Sequence, residues 1–86
     1  MADETGLRAE YEKIGELAAA RVEYESNLSA HPDYLATYYH LGKLCLALGE
    51  EGRAIKLFEE GMVYCQQAGD LHSYAELKMI WEDLSE

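Results

Sequence analysis

Along almost the whole chain apolar residues return every three to four positions, and no six-residue stretch alternates as a strand would. The punctuation falls at Gly15-Glu16, His31-Pro32, Gly49-Glu50 and Gly69-Asp70, breaks about 15 to 20 residues apart that suit helix hairpins. The pattern predicts an all-α chain of about five helices, over 4–14, 17–29, 34–48, 51–66 and 71–84. Asp33 and Asp70 stand where a short carboxylate accepts the free amide hydrogens of a first helical turn. Gly49 and Gly69 stand where a chain leaving a helix turns left-handed.

Helix 34–48 is apolar nearly all round, which suits a helix enclosed by neighbours. One stripe holds Leu35, Tyr38, Leu41, Gly42, Cys45 and Leu48; the opposite one holds Ala36, Tyr39, His40, Lys43, Leu46 and Ala47. In the last helix Tyr74, Leu77, Trp81 and Leu84 line up at spacings of three, four and three. Met79 and Ile80 fall outside that stripe, so large apolar surface is left over, a common mark of an interaction face.

Sliding the chain by 34 residues pairs Ala2 with Ala36, Leu7 with Leu41 and Gly15-Glu16 with Gly49-Glu50. The same offset pairs Ala20 with Ala54, Tyr24 with Phe58, Glu25 with Glu59 and Leu28 with Met62. One register thus recovers the turn glycine, the small helix residue and the aromatic together, the signature of an internal repeat.

With this period the sequence resembles the tetratricopeptide repeat (TPR) family. Residues 35–68 carry the pattern best, with Tyr38, Leu41-Gly42, Gly49, Ala54 and Phe58 in the family's aromatic, Leu-Gly, turn, alanine and aromatic places. Residues 1–34 keep Leu7, Tyr11, Gly15, Ala20, Tyr24 and the closing Pro32. They depart at Arg8, where the pattern has glycine, and at Glu4, where it has an aromatic. The second repeat departs at Cys45, an aromatic place, at Gly61 for alanine and at Gln66 for proline. The segment from His31 to Leu44 also looks like small stand-alone bacterial TPR proteins.

The resemblance implies one domain over 1–86, a right-handed superhelix of antiparallel hairpins: two TPR motifs, then a capping helix over about 70–85. It also implies a concave groove for extended peptides, with Tyr39, His40, Lys43 and Leu46 as candidate contacts. Carried onward, the register adds Tyr74, Leu77, Ile80 and Trp81, while the stripe reading makes Trp81 a cap on the core. The cationic clamp by which some members grip a terminal carboxylate is missing, since the first repeat offers Thr5, Gly6, Ala9 and Glu12 and the second only Lys43.

Composition narrows the partners. Seventeen Asp and Glu against seven Lys and Arg give a net charge of −10, which repels nucleic acid and anionic membranes and favours neutral or basic proteins and peptides. The longest strictly apolar run, Leu44 to Leu48, is far too short to span a bilayer, and the polar start has no leader pattern. Cytoplasmic, reduced thiols at Cys45 and Cys65 are therefore expected.

Catalytic chemistry finds little support. His40 and Cys45 lie five apart on one helix, about 140° around the axis, and cannot pair. Cys65 and His72 flank the Gly69 turn, but no third group or oxyanion donor accompanies them. Glu50-Glu51, Glu59-Glu60 and Glu82-Asp83 point about 100° apart and read as solvated faces. No catalytic residue, metal site or cofactor is expected. The sequence reads as a protein-interaction scaffold. Self-association into a homodimer through the last helix is the alternative, as is a TPR scaffold with a redesigned surface, which Cys45 and the Met79-Ile80-Trp81 run would suit.

Overall fold

The computed structural model describes the backbone of residues 2–84 and the side chains of residues 12–84. The described residues form four α-helices and no strand: α1 Ala2–Ala30, α2 Leu35–Ala47, α3 Glu51–Ala68 and α4 Leu71–Leu84. The all-α expectation holds, with four helices in place of five. The helices expected over 4–14 and 17–29 are one, because α1 runs through Gly15 without a turn. Positive φ occurs at Gly49 and Gly69 among the described residues, and not at Gly15.

The reason lies in the residues after each glycine. Gly49 leads into Glu50-Glu51-Gly52, whereas Gly15 leads into Glu16-Leu17-Ala18-Ala19-Ala20, a run of strong helix formers. A single helical glycine costs about 0.5–1 kcal/mol relative to alanine, too little to break such a helix by itself.

Both other helix ends close as expected. At the end of α2 the Glu50 amide donates to the Cys45 carbonyl at 2.8 Å, and the Gly49 amide to Leu46 at 3.1 Å, with Gly49 at φ +82°. At the end of α3 the Asp70 amide reaches the Cys65 carbonyl at 2.9 Å, with Gly69 at φ +73°. This paired pattern satisfies carbonyls that a helix C-terminus otherwise leaves open.

The two expected N-caps divide. Asp70 caps α4: its carboxylate accepts from the Ser73 amide at 3.1 Å and from the Ser73 hydroxyl at 2.8 Å. Asp33 does not cap α2. The capping position is Tyr34, whose side chain makes no cap hydrogen bond, and Asp33 lies one residue too early, within the turn closed by Tyr34 N–H donating to the His31 carbonyl.

The backbone and side-chain hydrogen bonds from Ser73 hold the Asp70 carboxyl below its ordinary range. A folded pKa below the unfolded one means stabilisation present at neutral pH and lost as pH falls through the carboxylate range. Asp70→Ala is expected to lower the melting temperature at pH 7, and the gap to the parent should narrow steadily on acidification. A gap independent of pH would assign the loss to something other than the ionised cap.

The core is Tyr38, Leu41 and Cys45 from α2, Ala54, Leu57, Phe58 and Cys65 from α3, and Leu77 from α4. This is the middle of the stripe expected for helix 34–48, with Gly42; Leu35 is only partly buried against it and Leu48 lies outside it, while Thr37 joins, its burial concealed by its polarity. Tyr38 stacks on Tyr64 with ring centres 5.6 Å apart and donates its hydroxyl to the Pro32 carbonyl. Burial, then the neighbouring Tyr64, pushes the phenol up to about 12, so it remains a neutral donor. Two glycines set the helix spacing. A Cβ on Gly42 would meet the Phe58 ring at 2.4 Å, and one on Gly61 would meet Tyr38 Cβ and Leu77 Cδ1, both at 2.9 Å. The departure from alanine at Gly61 follows from those two neighbours.

The C-terminal half of α1 joins this core through Tyr24 and Leu28. Arg21 pairs with Glu50, and Arg53 with Glu25 at 3.1 Å, tying α1 to the start of α3. Half-exposed pairs of this kind contribute about 0–1 kcal/mol each, so packing does most of the fastening.

Candidate functional site

Between α2 and α4 opens a cleft of about 590 Å³. The turn before α2 gives it Asp33 and Tyr34, and α2 itself gives Leu35, Ala36, Tyr39 and His40. The other wall is α4 with its cap: Asp70, Ser73, Glu76 and Leu77. Tyr39 is half-buried with its body against the core, while His40 and Tyr34 are exposed. The cleft therefore presents aromatic faces beside three carboxylates, those of Asp33, Asp70 and Glu76.

The expected contacts fall into two groups. Tyr39, His40 and Leu77 line the cleft, although Leu77 is only 2% exposed and serves as its floor. Lys43 leans on Tyr39 from the next turn, its ammonium 5.3 Å from the ring centre. His40 meets Tyr39 edge-on and stacks on Tyr24 of α1 at 5.9 Å. The other four, Leu46, Tyr74, Ile80 and Trp81, are partly buried against the core and do not line this cleft.

Trp81 joins the two readings made of it: its ring packs on the core, yet the residue is incompletely covered. Its indole N–H is buried with no acceptor among the described residues. The expected apolar excess on α4 is present at Met79, 67% exposed, and at Leu71.

Asp33, Tyr34, Ser73 and Glu76 went unrecognised as cleft residues in the sequence. A signal existed, since Asp33 and Asp70 both stand just before groove-side helices, but the same position is shared by ordinary caps.

The thiol–imidazole pair at the Gly69 turn is not assembled. Cys65 is fully buried, and burial followed by the Asp70 charge pushes its thiol up. His72 turns to solvent and meets Glu76 at 2.9 Å. Burial likewise raises the Cys45 thiol. Both cysteines are free and suited to packing, since the thiolate is the nucleophilic form. Among the described residues there is no cluster of His, Cys, Asp or Glu that could hold a metal, and no helix long and apolar enough to cross a membrane.

Two solved structures share this architecture. The solution NMR structure of a tetratricopeptide repeat domain protein from Salinibacter ruber matches with a TM-score of 0.78 at 28% identity, over 95% of this chain and 83% of that one. A crystal structure of a tetratricopeptide repeat domain protein from the same organism matches at 0.77 and 28% identity, over 96% of this chain and 92% of that one. No family model and no curated protein matches the chain. The fold is that of a small TPR-like helical protein.

Proposed function

We propose that this TPR-like chain is a non-enzymatic protein-interaction module whose α2–α4 cleft takes an extended, basic peptide segment. The observation that carries this reading is the lining of the cleft: Tyr34 and Tyr39 supply apolar faces, and Asp33, Asp70 and Glu76 supply negative charge. A lysine or arginine stem lies well along an aromatic ring while its head meets a carboxylate. The net charge of −10 supports the same preference through long-range attraction and works against nucleic acid and anionic lipid. Free, buried thiols suit a cytoplasmic setting.

In this reading 1–86 is one domain. Residues 35–68 form a complete repeat, residues 1–34 a repeat of the same register whose first helix stays extended, and residues 70–85 the cap.

The test is a titration of the isotope-labelled chain with decapeptides of one length, rich in leucine and either lysine or glutamate, followed by NMR. The lysine peptide should bind and shift resonances of Tyr34, Tyr39, Ser73 and Glu76; the glutamate peptide should not. Tyr39→Ala should weaken binding by about 2 kcal/mol, as truncation of an aromatic anchor does. Lys43→Ala should leave affinity unchanged or raise it slightly, because it removes a like charge from the rim. Equal binding of both peptides, or shifts confined to α3, would sink the reading.

A further inference from the structure

The 34-residue register assigns residues 2–14 the place that α2 holds in the next repeat, folded back beside its own second helix and against the next groove helix. Among the described residues no helix of this chain fills that place. The stretch 2–14 continues straight out of α1 as an arm about 20 Å long. Two quantities register the extension. The radius of gyration is 15.0 Å, against about 12 Å for a compact chain of this length. The accessible surface is 6027 Å², against about 5,100 Å² from area scaling.

What the arm leaves behind is a largely apolar cleft of about 400 Å³ between α1 and α2, lined by Leu17, Ala20, Tyr24, Lys43, Leu44 and Ala47. Shifted by 34, Ala20 and Tyr24 become Ala54 and Phe58, both fully buried beneath α2. The cleft is thus the counterpart of a surface that this fold elsewhere covers with a helix. At the joint, Ile14 is 52% exposed.

The chain's own arm is poorly made to close it. A tight reversal at Gly15 would bring position 8 onto Tyr24 as Gly42 comes onto Phe58, where a Cβ already lies 2.4 Å from the ring. Position 8 is arginine. An arm from another molecule is not tied to that turn, so its register along the cleft is not dictated by Gly15. Charge agrees: residues 2–14 hold four acidic and two basic residues, while the cleft lining holds Lys43 and no carboxylate.

We infer that the chain forms a two-fold dimer in which residues 2–14 of each copy lie in the α1–α2 cleft of the other. The exchange is reciprocal and self-closing, so it ends at two copies. It uses a face separate from the α2–α4 peptide cleft except for His40, which borders both.

Sedimentation velocity of the full chain over about a hundredfold range of concentration tests this, since an exchanged dimer dissociates by mass action. The expected species has twice the chain mass. Gly15→Ala should tighten it several-fold by stiffening α1. Ala20→Arg, which fills the cleft, should leave monomer with helix content retained. Lys43→Glu, an exposed change that does not threaten folding, should weaken the dimer about tenfold by setting a carboxylate against the acidic arm. A monomer at every concentration in both the parent and Gly15→Ala overturns the inference. So does a dimer indifferent to Ala20→Arg and Lys43→Glu, which would move the interface to another face such as α4. Peptide titration of Ala20→Arg keeps the two proposals apart, because the α2–α4 cleft should bind as before.

Discussion

Phe58→Ala is expected to cost about 3–5 kcal/mol, the range for emptying a buried aromatic site. Phe58 has no exposed surface, sits at the centre of the α2–α3 hairpin and closes against Gly42, where no side chain stands to collapse into the space. The surroundings are helices pinned at Gly49 and Gly69, so relaxation is limited. A domain this short buries only about 60–65% of the surface its open chain exposes and carries little reserve. Against an ordinary total of about 5–15 kcal/mol, the variant should be largely unfolded at modest urea concentrations. Circular dichroism during urea unfolding reads this directly, with Val63→Ala, half-exposed on the same helix, as a control that should stay within about 0.5 kcal/mol. A loss below about 1 kcal/mol at Phe58 would mean that it does not fill the inter-helix space.

The hairpin that holds Phe58 was legible residue by residue. The spacing of Tyr38, Leu41, Gly42 and Cys45 named the buried stripe of α2, and Gly49 and Gly69 marked its turns. What misled was Gly15. Local sequence reports a glycine and a matching register, but whether a glycine turns depends on whether the folded-back helix finds a surface that accepts it. After Gly15 the run Glu16 to Ala20 is made of strong helix formers, and it carries the helix on. Periodicity measures which residues tend to be buried, and it does not say where a helix ends.

The candidate site was legible only on its α2 wall. Tyr39 and His40 lie opposite the core stripe, at positions where the resemblance to TPR proteins implied a groove. The facing wall depends on how α4 leaves the Gly69 turn and packs on α3, where Leu77 approaches Gly61 closely. Leu77 is consequently floor where the register alone made it a contact, and Trp81 turns toward the core. Ser73 and Glu76 enter the cleft for the same reason, and face Asp33 of the turn before α2. They are ordinary polar residues whose convergence is a product of tertiary geometry.

Gly42→Val should be the second large loss, about 3 kcal/mol, at the upper end of what overpacking a core costs. A Cβ at this site lies 2.4 Å from Phe58 Cε1 and 2.6 Å from Cζ, against about 3.5–4.0 Å for carbons in comfortable contact. The Phe58 ring is itself enclosed and has no free direction of retreat, so either α2 and α3 move apart or both side chains leave their rotamers. Removing a mid-helix glycine offsets about 0.5–1 kcal/mol of this strain, less for a β-branched residue than for alanine. The cause is checked by coupling. Phe58→Leu shortens the group that the added side chain would strike. In that background Gly42→Val should cost less than about 1 kcal/mol, leaving an interaction energy of about 2 kcal/mol in the double-mutant cycle. Additive losses would show that the glycine is there for the path of the α2 backbone. Strong coupling would show that two residues 16 apart in the sequence, a glycine and the chain's single phenylalanine, are one packing decision on which the α2 wall of the α2–α4 cleft stands.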